Sequence, residues 1–134
     1  MADPRTSVGR RGERRAARHH RRRGLRLVAR NARTPSGELD LICLDGETLV
    51  FVEVRTVASP DGPDRAVDAV TPSKARQVIR AARTWLTTPA ARPHEDRDIR
   101  FDAIGIDERT GEIEHIPDAF RVDDAAGRGG DWSP

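Results

Sequence analysis

The chain has 134 residues, 34% of them charged, a formal net charge of +2 and a single cysteine. That length supports one layered core rather than two, and one cysteine excludes an internal disulfide or a multi-cysteine zinc site. No stretch approaches the roughly 18 apolar residues of a membrane span and no apolar h-region marks a secretion signal, so a cytoplasmic protein without a membrane partner is expected.

The small net charge conceals an asymmetry. The first 33 residues hold 12 arginines and two acids, a balance of +10, so the rest of the chain carries −8. A basic N-terminal third on an acidic body points to a polyanion, with nucleic acid first. The absence of tyrosine, with only three Phe and two Trp, argues against a base-stacking platform.

Residues 1–7 are expected to be disordered, residues 8–122 to form one domain, and residues 123–134, rich in Gly, Asp and Ala, to be a disordered tail. The spacing predicts a helix from about Val8 to Arg23, ended by Gly24. Its small-residue stripe of Gly9, Gly12, Ala16 and Ala17 carries Glu13 and His20, while Arg10, Arg14, Arg18, Arg21 and Arg22 fan over the other faces. A first strand follows over Leu25–Arg30, with Leu25, Leu27 and Ala29 on one side. Leu39–Leu44 and Thr48–Thr56 read as a hairpin turning at Asp45-Gly46. Val57–Val70 is rich in Pro, Gly and Asp and is expected to be a mobile loop.

Thr71-Pro72 then supplies a helix N-cap and a first-turn proline. The helix is predicted to run to about Leu86, with Ala75, Val78, Ile79, Ala82, Trp85 and Leu86 inward and Arg76, Arg80 and Arg83 along one exposed edge. A loop over Thr87–Arg97 leads to strands Ile99–Ile106 and Ile113–Ile116. Helix, three strands, helix, two strands is the order of an α/β sandwich with a mixed central sheet. Cys43 falls within an apolar strand and reads as a buried, inert thiol.

The hairpin gathers ionisable residues where a core must be built. With a loop at Asp45-Gly46, Leu44 lies opposite Glu47, Asp40 opposite Phe51 and Glu38 opposite Glu53. Opposed residues and residues two apart share a face, so Glu38, Asp40, Glu53 and Arg55 project together. A loop of odd length would split them. Three carboxylates repel one another unless something positive sits among them. Arg55 cancels one charge, and Mg²⁺ or Mn²⁺ suits the oxygen donors that remain. The competing reading is acids at a sheet margin pointing into water. The adjacent His19 and His20 point about 100° apart on a helix and cannot easily share one ion. His94 and His115 are isolated and receive no role.

The succession Gly9-x-x-Gly12-Glu13-x-x-Ala16, Gly37-Glu38-Leu39-Asp40-Leu41-Ile42, Phe51-Val52-Glu53-Val54, a Lys-bearing helix start and Arg100-Phe101-Asp102 resembles the YraN-like family of small bacterial proteins. The resemblance covers roughly residues 8–120. These proteins resemble in turn the PD-(D/E)XK phosphodiesterases, particularly Holliday-junction resolvases. The resemblance implies a three-layer restriction-endonuclease-like fold, a mixed sheet flanked by helices. It implies Asp40 and Glu53 as metal ligands, the Val54 carbonyl as a further one, and Glu13 as the first-helix acid that completes the site. Glu38 and Lys74 are expected at its outer shell.

Arg55 stands where the family usually has lysine. Arginine stays charged and clamps phosphate bidentately, but it does not act as a base. The expected function is a divalent-metal-dependent endonuclease acting on DNA, branched DNA in particular. The N-terminal arginines and Arg76, Arg80 and Arg83 would then track phosphates. Resolvase-like relatives work as dimers, so the analogy extends to a homodimer. Two other readings stand beside it: a catalytically weak or inactive nucleic-acid-binding module of the same fold, and a scaffold whose basic helix meets an acidic protein.

Overall fold

The computed structural model describes residues 25–57 and 70–122. They form an α/β protein with one five-stranded mixed sheet, in the order β1-β2-β3-β4-β5. The strands are β1 (Arg26–Thr34), β2 (Gly37–Asp45), β3 (Thr48–Val57), β4 (Ile99–Asp107) and β5 (Ile113–Phe120). β3 and β4 are parallel and every other neighbouring pair is antiparallel. The parallel pair needs a long crossover, which contains the helix α1 (Pro72–Trp85) and a 3₁₀ helix (Pro89–His94). The segment expected to be a loop over Thr87–Arg97 is therefore partly helical. Thr88 precedes Pro89, whose fixed φ suits a first helical turn.

α1 starts where its sequence says it should. Thr71 is the N-cap, its hydroxyl accepts the Lys74 N–H at 3.1 Å, and Pro72 occupies the first helical position. Ala75, Val78, Ile79, Ala82 and Trp85 are buried as predicted, joined by Ala81. Leu86 is half-buried at the C-cap. The helix lies chiefly over β2 and touches β1. Gly37, at φ +137°, lets β2 pass close beneath it: a Cβ there would meet the Gln77 side chain at 3.4 Å.

Both faces of the central strands are buried. On the α1 side, Ile42, Leu44, Leu49, Phe51 and Phe101 pack with the helix. All three phenylalanines form a stacked row, Phe51–Phe101–Phe120, with Trp85 edge-on to Phe51 at 5.9 Å. On the other side Leu41, Cys43, Val50, Val52, Ile104 and Ile106 form a second cluster. Burial on two faces is why these strands read as nearly continuous apolar runs. Cys43 is fully buried, and burial, then nearby Asp102, push its thiol up to about 12. Its burial is as expected.

The hairpin turn is shifted from its predicted place. Asp45 pairs with Thr48, so the two turn residues are Gly46 and Glu47, with Gly46 at φ +58°. Positive φ at the first turn position is the type II′ pattern, which wants glycine there. Phe51 consequently faces Ile42 rather than Asp40. The shift is an even number of positions, so the side chains of the paired stretch Leu41–Leu44 keep their predicted faces.

β1 runs beyond its predicted end, to Thr34. A bulge between Leu27 and Ala29 breaks the simple alternation, leaving Leu27 38% exposed while Val28 and Ala29 both touch the core. β5 likewise reaches Phe120 instead of Ile116. The helix predicted over 8–23, the terminal segments 1–7 and 123–134, and most of the loop 57–70 lie outside the described residues.

Candidate metal centre

β2 and β3 part at the acids. Their ladder ends at Leu41 opposite Val52. Beyond it β2 continues against β1 alone, and β3 continues against β4 as far as Val57 opposite Asp107. At the fork, Oδ2 of Asp40 accepts the Val54 N–H at 2.8 Å, in place of a backbone carbonyl. The alternation of β2 also breaks there. Leu39 and Ile42 pack into the α1-side cluster while Leu41 packs into the opposite one. Asn31, at φ 51°, is skipped where the β1–β2 ladder passes Asp40. The backbone is thus remodelled around one aspartate.

Glu53 follows Phe51 on the α1 side and is 3% exposed. Its carboxyl shares a hydrogen bond with Asp40. Burial first, then the Asp40 charge, push Glu53 up to about 8; Lys74 and Arg55 pull the other way without cancelling them. Asp40 is raised as well, by burial above all, although the Val54 N–H, the Glu53 bond and Lys74 all favour its charged form. Two carboxyls this close hold a proton between them when nothing else balances them.

Two cations face the same Glu53 oxygen. Lys74 Nζ, from the first turn of α1, is 3.5 Å from Oε1, and Arg55 Nη1 is 3.9 Å from it. The structure therefore brings Asp40, Glu53, Arg55 and Lys74 together, with Val54 engaged through its N–H. Glu38 departs from the expectation. It is not opposed to Glu53 but paired with Arg33 across the β1–β2 ladder, at 3.8 Å between side chains, because the fork removes β3 from its side. Glu13, His19, His20 and Arg10, Arg14, Arg18, Arg21 and Arg22 lie outside the described residues. Arg76 and Arg80 are exposed on α1 as predicted, and Arg83 is half-buried.

The donor set suits a hard divalent ion. A buried carboxyl pair whose ionisation is opposed by its surroundings gains charge balance when a cation displaces the shared proton. Mg²⁺ is commonly held by only one or two carboxylates, with waters and substrate phosphate completing the shell. Among the described residues no three His, Cys, Asp or Glu side chains form a cage, and the pair fits this sparse kind of site.

A second ionic cluster, absent from the sequence reading, occupies the opposite face of the sheet. Asp102 is fully buried in the middle of β4. It accepts Arg100 Nε at 2.8 Å and Nη2 at 3.1 Å, pairs with His115 Nε2 at 2.8 Å, and accepts the Asp118 N–H at 2.9 Å. Arg100 continues to Asp45 at 2.8 Å. Burial alone would raise Asp102, but His115, Arg100 and the Asp118 N–H together hold it below its ordinary value. His115, given no role from sequence, is thus a buried partner of the Arg100-Phe101-Asp102 motif. The available signal was an aspartate inside an otherwise apolar strand, since a buried charge needs partners. His94 stacks on Trp85 with centroids 6.5 Å apart and accepts Arg97 Nε at 3.1 Å.

No helix among the described residues is long and apolar enough to cross a membrane. The family model described as "Uncharacterised protein family UPF0102" matches residues 12–106, a span that includes the fork, α1 and all of β4 but its last residue. Among curated relatives, a UPF0102 protein of Nitratidesulfovibrio vulgaris (strain DP4) is 45% identical over 138 residues, covering 100% of this chain and 99% of its own. One from Anaeromyxobacter dehalogenans is 42% identical over 134 residues, covering 97% and 93%. One from Dechloromonas aromatica is 44% identical over 122 residues, covering 91% and 95%. By model match and by identity over nearly its whole length, the chain belongs to the UPF0102 family, the YraN-like group of its sequence resemblance.

Proposed function

We propose that the protein is a divalent-metal-dependent phosphodiesterase, an endonuclease of the PD-(D/E)XK type with a restriction-endonuclease-like fold, acting on DNA. The observation that carries this reading is the buried Asp40–Glu53 carboxyl pair at the β2–β3 fork, faced by Lys74 and Arg55. Asp40 and Glu53 would hold Mg²⁺ or Mn²⁺, and the resemblance adds Glu13 and the Val54 carbonyl. A bound ion of this kind polarises a phosphate oxygen and lowers the pKa of water. The chain's own part is positional and electrostatic. Arg55 and Lys74 hold the phosphate at the mouth of the fork. Arg76 and Arg80, exposed along α1, lie against flanking phosphates, whose contacts release counterions. Water adds to phosphorus as the bond to one sugar oxygen breaks. Branched DNA and a homodimer are the substrate form and assembly that the resolvase analogy favours.

The test is cleavage of junction, flap and single-stranded DNA with Mn²⁺. The reading expects cleavage that Asp40→Ala or Glu53→Ala abolishes. A second reading, a binding module without catalysis, is favoured by Arg55 at the family's usual lysine position. It expects salt-sensitive DNA binding and no cleavage in the same panel. Absence of DNA binding even at low salt would leave the scaffold reading.

A further inference from the structure

Lys74 is the third residue of α1 after its cap. The positive end of a helix macrodipole disfavours a cation there and favours an acid, yet the first turn of α1 contains no acid. The lysine instead turns into the fork. Its side chain is 30% exposed, and its ammonium is closer to Glu53 Oε1 than the Arg55 guanidinium is, at 3.5 Å against 3.9 Å. Arg55 sits further out, with 38% of its side chain exposed. Both cations address one carboxylate oxygen, and a divalent ion bound by that carboxylate cannot share it with a neighbouring ammonium without strong repulsion. Lysine carries a compact charge on a flexible four-carbon stem and can swing aside, whereas arginine offers a planar fork.

We infer that Lys74 is an exchangeable counter-ion of the carboxyl pair: it balances the negative charge left on the pair while no metal is bound, and passes to a phosphate oxygen of the DNA once a divalent ion takes the pair. This rests on the phosphodiesterase reading for its second half only. Lys74 is then the phosphate-contacting lysine of the site, delivered by α1 and not by the strand position that Arg55 fills. Lysine is a common point-charge binder of phosphate, so the exchange turns a resting ion pair into a substrate contact without adding a residue.

The experiment measures Mn²⁺ affinity of the full chain without DNA, by electron paramagnetic resonance, for wild type, Lys74→Met, Lys74→Arg and Arg55→Met. Removing the competing ammonium should tighten Mn²⁺ binding about tenfold in Lys74→Met. Lys74→Arg should restore roughly wild-type affinity by replacing the charge, and Arg55→Met should tighten binding less than about threefold, given its greater exposure. At saturating Mn²⁺, Lys74→Met should then cleave DNA at least about a hundredfold more slowly than wild type. Unchanged or weaker Mn²⁺ binding in Lys74→Met overturns the exchange. So does Lys74→Met that, saturated with Mn²⁺, cleaves as fast as wild type. If no protein in the series cleaves any substrate, the phosphodiesterase reading fails, and the Mn²⁺ affinities alone still decide whether Lys74 competes for the pair.

Discussion

Replacing Glu53 with Gln tests the carboxyl pair without DNA or catalysis. Glutamine keeps the shape and can still donate to Asp40, but it carries no charge. In the folded chain Glu53 is raised from an ordinary 4.5 to about 8. Between those values the folded state binds a proton that the unfolded state has lost. Stability therefore falls as pH rises through that window, and it is fully retained below it. Each pH unit is worth at most about 1.4 kcal/mol, so the ceiling is about 4–5 kcal/mol. Sharing of the proton with Asp40, and the charges of Lys74 and Arg55, reduce this to about 2 kcal/mol at pH 8.5. For a domain of this size about 2 kcal/mol corresponds to roughly 10 °C in Tm. Thermal unfolding in EDTA at pH 5 and pH 8.5, followed by circular dichroism, isolates Glu53 as the difference between variant and wild type. The two proteins should melt together at pH 5, and Glu53→Gln should melt about 10 °C higher at pH 8.5. A difference that does not change with pH, or a variant that is less stable at pH 8.5, would refute the reasoning.

Three other outcomes are expected. Asp102→Ala leaves Arg100 and His115 facing a vacant centre and should cost about 3–5 kcal/mol in urea unfolding. Because Asp102 is held below its ordinary value, its stabilisation is present above an unfolded pKa of about 3.9 and is lost as pH falls below it. Acid titration of wild type against the variant should therefore show the gap closing below about pH 4. Gly37→Ala introduces a Cβ at φ +137°, 3.4 Å from Gln77, and should lower stability by about 1–2 kcal/mol. That loss would appear as a reduced urea midpoint with an unchanged slope.

Most of the order of elements was legible because each carries its own local signal. Thr71-Pro72 marks the start of α1, and the 75-78-79-82-85 spacing marks its buried face. Gly46 marks the hairpin, but which residues flank the turn depends on whether Gly46 takes its first or second position, and composition does not choose between them. The pairing of Asp40 with Glu53 survived that error because the slip was even. Glu38 did not, because its neighbour changed where β2 leaves β3. That fork follows from an aspartate side chain replacing a ladder acceptor, a tertiary event with no periodic trace. Asp102 and His115 are 13 residues apart and meet only through the β4–β5 ladder, so their partnership becomes visible once the strands are paired. Lys74 could be placed on a helix from sequence, but its reach into the fork depends on how α1 crosses β2.

The claim on which the account rests is that Asp40 and Glu53 together bind a divalent cation. Calorimetric titration of Mn²⁺ into the protein at pH 7, in buffers of different ionisation enthalpy, tests it directly. The account predicts one ion per chain, a proton released as it binds, and loss of binding in both Asp40→Asn and Glu53→Gln. Mn²⁺ binding that persists undiminished in both variants, or no binding at millimolar metal, would contradict it.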